Sequence, residues 1–251
     1  MLYTKAIVRT PGKNFSKGIT SQDLGMPVYK LAVQQHEAYC HTLRDCGIDI
    51  HKLKAQEAFP DACFVEDTAI VTDKMAIVTR PGDPRRQGEE ISIAETLTRF
   101  RSLERIEEPG TVDGGDILHV GKHFFIGLSE RTNKEGARQL AKIFKQYGYT
   151  SSKVSVGSSL HLKSSVSCVG NNLIICTNEM AKHFVEYNTL IVSDQEDYAC
   201  NCIWVNGIVI IPKGFPLLKN KLIRLKYEFI ELDMTEFRKM DGGLSCLSLL
   251  F

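Results

Sequence analysis

Cys246 stands five residues before Phe251, inside the run DGGLSCLSLLF. A cysteine there reads either as a small core hydrophobe in a terminal strand or as a nucleophile, because a thiolate attacks electrophilic carbon. Other polar positions bear on the choice. Glu66 and Asp67 interrupt a strand-like run, Asp113 and Asp116 bracket a Gly-Gly pair, and His161 lies between Leu160 and Leu162. Each has a plain structural explanation when taken alone: a solvated edge pair, a turn, a core histidine, a core cysteine. Their common placement near the start of successive strand pairs favours one shared site, since buried charges are costly unless paired. A histidine there would exchange protons, one carboxylate would orient it, and the others would select a cationic electrophile. A guanidinium fits, because bidentate pairing with a carboxylate fixes its plane and presents its carbon face-on. Bringing a thiol of pKa about 8.5 to thiolate near pH 7 costs about 2 kcal/mol. A guanidinium about 4 Å away at an effective dielectric near 20 contributes roughly 4 kcal/mol. Cys246 is therefore expected to be mostly thiol when the site is empty and to be activated by its own substrate.

The elements that must position these residues follow from periodicity. Four pairs of β-type runs are each joined by a turn signal: 64–71 with 75–80, 116–120 with 123–129, 160–169 with 173–177, and 199–205 with 208–212, the last through Asn206-Gly207. Helical patterns cover 28–46, 93–103, 178–187 and 217–227, and another starts at Thr132, where Thr132-Asn-Lys-Glu135 reads as a capping box, and stops at Gly148. Five helices against four hairpins leave the two ends, 2–10 and 244–251, as strands that need each other. The sequence predicts five units of hairpin, helix and strand, the last closed by pairing of the N- and C-terminal strands. Units of roughly 40 to 50 residues belong to circular or solenoid architectures, with a three-layer open sheet as the plainer alternative.

Composition sets limits. The 251 residues suffice for a substantial core without staples, and Lys+Arg 31 against Asp+Glu 30 leaves no bulk field to recruit nucleic acid or an anionic membrane. MLYTKAIVRTPGKN lacks the apolar core of a signal peptide, and no window approaches a membrane span, so a soluble cytoplasmic protein is expected. The eight cysteines lie mostly in apolar runs, as reduced core residues do. Cys200-Asn-Cys202 and the His119/His123 pair lack metal-ligand spacing, and no structural metal is expected. Oligomeric state stays open, a homodimer included.

The motifs FPDACFVEDTAIV, TRPGDPRRQGEE, PGTVDGGDILHVGKHFFIGLSERTNKEGA, LHLKS, ACNCIWVNGIVIIPKG and DGGLSCLSL occur in this order from end to end. Together they resemble the dimethylarginine dimethylaminohydrolases of the guanidine-modifying (amidinotransferase) superfamily. The resemblance implies an α/β fold, a five-bladed pseudo-symmetric propeller over 1–251 as one catalytic domain. It also implies hydrolysis of Nω-methylated arginine, a small-molecule substrate, to citrulline and an alkylamine without a cofactor. Cys246 would be the nucleophile, His161 the general acid and base, and Asp113 the carboxylate that orients it, where many bacterial relatives carry Glu. Glu66 and Asp67 would hold the guanidinium, and Asp61 the α-ammonium. Arg131 and Arg86, with Arg85 as the other choice in the loop, would clamp the α-carboxylate. Met240 and Asp241 would contact substrate through the backbone, and Ser164 would lie close by. Residues 14–25 resemble the family's mobile lid, with Ile19 at the apolar covering position. An arginine deiminase or another guanidine hydrolase of the superfamily is the nearest alternative, and a non-catalytic ligand-binding relative the next.

Overall fold

In the computed structural model, which describes residues 2–170 and 172–251, the β-type runs build five sheets of three strands each. β1 (Lys5–Arg9), α1 (Tyr29–Asp45) and β2 (Asp49–Leu53) come first. β3 (Ala69–Val71) and β4 (Ala76–Val78) then form a hairpin, and after α2 (Glu89–Leu97) β5 (Leu103–Arg105) returns parallel to β4. A parallel return needs a long crossover, which explains the helix between the second and third strand. The same order recurs in β6 (Ile117–Val120), β7 (His123–Leu128), α3 (Lys134–Gln146) and β8 (Thr150–Ser155). Behind a short α4 (Leu162–Ser165) it recurs again in β9 (Val166–Val169), β10 (Leu173–Cys176), α5 (Asn178–Ala181) and β11 (Asn188–Ile191). The last copy is β12 (Ile203–Val205), β13 (Ile208–Pro212), α6 (Pro216–Arg224) and β14 (Glu228–Leu232). α7 (Thr235–Arg238) leads to β15 (Ser248–Leu250), which pairs antiparallel with β1 in the register Ala6↔Leu250, Ile7↔Leu249, Val8↔Ser248. The two end strands thus complete a sheet, as the count of helices against hairpins required.

Apolar clusters tie the sheets together in succession. Ile7 and Leu249 meet Ala69 and Ala76, Ile70 and Ile77 meet Ile117 and Phe124, and Leu118 and Phe125 meet Val166 and Ile174. Val169 and Ile175 meet Val209 and Ile211, and Ile203 and Ile210 meet Ala6 and Val8. Burying each Val, Leu, Ile or Phe among them stabilises the fold by about 1.5–3 kcal/mol. The last junction carries a polar clasp too. Asn206, left-handed at φ 51 as the Asn-Gly turn requires, accepts from Tyr3 N at 2.9 Å and donates to the carbonyls of Tyr3 and Cys46. Among the described residues no helix is long and apolar enough to cross a membrane.

Several elements differ from the periodicity reading. α2 begins at Glu89 rather than at 93, where two acidic side chains suit the first turn, and it stops at Leu97 so that Leu103 can enter β5. The segment expected as a helix over 178–187 is helical only to Ala181. Asn133, not Thr132, caps α3 by accepting from Gly136 N at 2.7 Å. Thr132 instead turns its hydroxyl to Asp113 N, at 3.1 Å. The first strands are shorter than the periodicity predicts: 65–68, 162–165 and 245–247 fold as helical turns, and a further turn at 194–200 leads into β12.

Candidate active site

Those turns carry the polar residues. In a strand, Glu66 and Asp67 would face opposite sides; in the 3-10 turn Val65–Thr68 both are buried. Asp113 precedes the turn Gly114–Asp116, His161 precedes α4, and Cys246 lies within Ser245–Leu247. The Gly-Gly pairs allow close approach rather than unusual backbone angles. A Cβ on Gly115 would fall 2.8 Å from His161 Nδ1 and 2.9 Å from Asp67 Oδ1. On Gly242 it would strike the Phe64 ring at 2.2 Å, and on Gly243 the Asn201 amide at 2.5 Å. The left-handed residue here is Asp241, at φ 58.

His161, Cys246, Asp67, Asp61, Arg86, Arg131, Met240, Asp241 and Ile19 line one cavity of about 230 Å³, with Phe64 and Leu160 in its wall. His161 Nε2 is 3.0 Å from Asp113 Oδ2, whose other oxygen accepts from Gly82 N at 2.8 Å. Burial opposes charge on the imidazole, but Asp67, the Asp113 hydrogen bond and Asp116 together raise His161 to about 9. Burial likewise opposes charge on Asp67, yet His161 and Arg86 hold it down at about 2. Asp67 accepts from Arg86 at 2.6 Å and from Gly115 N at 2.9 Å. The Cys246 thiol is pushed up, by burial first and then by Glu66 and Asp67, while Gly243 N donates to its Sγ at 3.4 Å. Asp67, Asp113 and His161 bring one donor atom each within 4.8 Å of one another, but a cation held by His161 Nε2 and Asp113 Oδ2 would have to break the bond between them.

Not every expected residue meets the others in this cavity. Both Glu66 oxygens are taken, by Lys163 Nζ at 2.5 Å and Ser245 Oγ at 2.8 Å, and the residue lines a separate cavity of about 170 Å³ that runs to Tyr3 and Trp204. Burial raises the Glu66 carboxyl and Lys163 works against that rise. Ser164 lines a third, polar cavity of about 590 Å³, with Ser21, Tyr198 and Asp241. Arg86 donates to Asp67, to Glu89 at 2.8 Å and to the Phe64 carbonyl at 3.1 Å, whereas Arg131 pairs with Asp83 at 3.1 Å. Arg85 is exposed and also bound to Asp83.

The 14–25 segment lies over the 230 Å³ cavity. Ile19 N donates to both Asp61 oxygens, at 3.2 and 3.0 Å, and burial raises the Asp61 carboxyl. Gly18 is required by close approach, since a Cβ there would fall 2.2 Å from Asp61 Oδ1. Beyond Ile19, Ser21 N and Gln22 Nε2 donate to Asp241 at 2.5 and 2.6 Å.

Lys163, Ser245 and Asn201 are residues that sequence reasoning passed over. Asn201 Oδ1 accepts from Ser245 N at 2.9 Å, and its Nδ2 donates to Ser245 Oγ and the Lys163 carbonyl, both at 3.0 Å. A signal existed: Asn201 is a polar residue two positions ahead of β12, the spacing at which Asp67 precedes β3 and Cys246 precedes β15.

The family model described as N,N dimethylarginine dimethylhydrolase, eukaryotic, matches residues 14–247. The chain is 45% identical over 254 residues to the N(G),N(G)-dimethylarginine dimethylaminohydrolase of Pseudomonas aeruginosa, covering 100% of both. A crystal structure from that organism, a cysteine-to-serine mutant complexed with citrulline, superposes with a TM-score of 0.98 at 44% identity over 100% of both chains. Another solved structure, a dimethylarginine dimethylaminohydrolase adduct with S-methyl-L-thiocitrulline, gives 0.97 at 44% identity, again over 100% of both.

Proposed function

The chain belongs to the dimethylarginine dimethylaminohydrolase family, and from that membership and the pocket's geometry we propose that it hydrolyses asymmetric dimethylarginine and monomethylarginine to L-citrulline and dimethylamine or methylamine. The observation that carries this reading is the convergence of Cys246, the His161–Asp113 pair and an ionised Asp67 on one cavity beneath the 14–25 segment.

Asp67 takes the guanidinium and fixes its plane in front of Cys246. Arrival of that cation lowers the cost of the thiolate, and the thiol proton leaves to solvent. The thiolate adds to the guanidinium carbon, and His161, protonated at neutral pH because it titrates near 9, gives its proton to the departing alkylamine. An S-alkylthiouronium remains on Cys246. The now neutral His161 takes a proton from water as its oxygen adds to the same carbon. The adduct's hydroxyl gives up its proton to solvent as collapse releases citrulline and the Cys246 thiolate. An S-methyl-L-thiocitrulline adduct and a citrulline complex among related structures support a covalent step and this product.

Asp61 pairs with the α-ammonium and Arg131 with the α-carboxylate, with Arg86 contributing positive potential from behind Asp67. Met240 and Asp241 shape the wall, Ile19 covers the substrate, and Ser164 borders the adjoining cavity. Glu66, bound to Lys163 and Ser245, acts as the floor beneath the nucleophile rather than as a direct ligand. The succession of sheet contacts, returning from the fifth sheet to the first, supports a five-bladed propeller in which 1–251 form one catalytic domain. The reaction uses no cofactor and suits a cytoplasmic enzyme.

The test is citrulline formation by purified protein from asymmetric dimethylarginine, arginine and agmatine, with Cys246→Ser alongside. Methylarginine should have the highest kcat/KM and the serine variant no turnover. A preference for arginine overturns the substrate assignment.

A further inference from the structure

One peptide group connects Cys246 to a residue outside the pocket. The Gly243 N–H donates to Cys246 Sγ at 3.4 Å, and the carbonyl of the same peptide, that of Gly242, accepts from Tyr198 Oη at 2.9 Å. In a trans peptide these two groups point in opposite directions, so a donor on the carbonyl orients the N–H at the other end and strengthens its polarity. Everything around this peptide is pinned. Gly242 N donates to Phe237 O at 2.9 Å, and the Asn201 amide packs against Gly243 so closely that a Cβ has no room. The Tyr198 ring is held by the Arg238 guanidinium, 4.8 Å from its centroid, and by Phe215 at 5.7 Å. Burial raises the phenol well above its ordinary value, so Tyr198 remains a donor throughout the working range.

We infer that Tyr198 is a positioning residue for the nucleophile: through the Gly242–Gly243 peptide it aims and polarises the N–H that stabilises negative charge on Cys246. The sulfur is charged twice in the proposed cycle, at attack and again as the leaving group, and both times it faces the acidic residues Glu66 and Asp67. A hydrogen bond to the charged form offsets part of that repulsion. Tyr198 touches neither the substrate cavity nor the reacting atoms, so its removal acts on kcat and leaves substrate binding unchanged.

This inference rests on the hydrolase reading, and its test separates the two. Tyr198→Phe removes one hydroxyl and keeps the ring contacts. It is expected to lower kcat about three- to tenfold with KM within about twofold, and to move the acid limb of the kcat profile up by about half a pH unit. Alkylation of Cys246 by iodoacetamide, with Cys246→Ser as background, should slow about threefold at fixed pH. Should Tyr198→Phe prove too unstable to purify, 3-fluorotyrosine at 198, a stronger donor, should shift both readouts the opposite way. Unchanged kcat and alkylation, or a raised KM with kcat intact, overturns the inference. If the wild type forms no citrulline the hydrolase reading fails, while the alkylation comparison still decides the role of Tyr198.

Discussion

Asp113→Asn tests how His161 is governed. The carboxylate accepts two bonds at once, from Gly82 N at 2.8 Å and from His161 at 3.0 Å, and it has no exposure to solvent. An asparagine has one carbonyl oxygen and one amide nitrogen, so it cannot accept both. If the oxygen stays with Gly82, the NH2 group faces Nε2 and forces the imidazole proton to Nδ1, the wrong tautomer. If the amide flips, Gly82 N faces a second donor and an unpaired buried group costs about 1–3 kcal/mol. Losing the charge also weakens the support for the imidazolium. A hydrogen bond to a charged partner is stronger than a neutral one by about 1–2 kcal/mol, or roughly one pK unit. Asp67 at 4.0 Å and Asp116 remain, so the His161 pKa should fall from about 9 to about 8 rather than to an unperturbed value. NMR titration of the imidazole in wild type and variant reads this shift, and kcat for asymmetric dimethylarginine should drop about 10²–10⁴-fold with little change in KM. A variant with His161 still titrating near 9 and kcat within threefold of wild type would refute the assignment of Asp113.

The contact of Ser21 and Gln22 with Asp241 gives a second prediction. Asp241→Asn, which tolerates the left-handed backbone, should raise KM about threefold by weakening the contacts to Ser21 and Gln22, while Asp241→Ala adds about 1–2 kcal/mol of backbone strain and lowers thermal stability as well. Removing residues 247–251 deletes β15 and buried Leu247, Leu249 and Phe251, so circular dichroism should show loss of the fold rather than of activity alone. The raised pKa of His161 makes the folded state bind a proton that the unfolded chain has released. Its stabilisation is complete below about pH 6.5 and is lost as pH rises through about 9, so urea midpoints should decline across that window and decline less in His161→Asn. Asp67 acts in the opposite sense, stabilising above about pH 4 and ceasing to do so as pH falls through about 2.

Much of the architecture was legible along the chain because its determinants are local. Asn206-Gly207 sets a hairpin through its own positive φ angles, and surplus strand patterns at 2–10 and 244–251 had to pair. The residue types of the site were legible as well, since Cys246, His161 and the carboxylates stand out in apolar surroundings. Local pattern misled where an apolar residue serves a strand and a tight turn equally. Val65, Leu162 and Leu247 looked like strand positions, yet they lie in the turns that bring Asp67, His161 and Cys246 to one cavity.

The sequence by itself determined the repeat of hairpin, helix and strand, the pairing of the two ends, and which side chains were available for chemistry. Only the tertiary structure divided adjacent carboxylates between different tasks. Asp67 meets His161 and the cavity, while Glu66, one residue earlier, is sealed by Lys163 and Ser245. Nor could any local pattern show that Gly242 and Gly243 are small because Phe64 and Asn201 approach them, or that Tyr198 holds the peptide facing Cys246. The physical reason is that these hydrogen-bond partners stand 44 to 179 residues apart in the chain, and a charge's role depends on which partner folding places beside it.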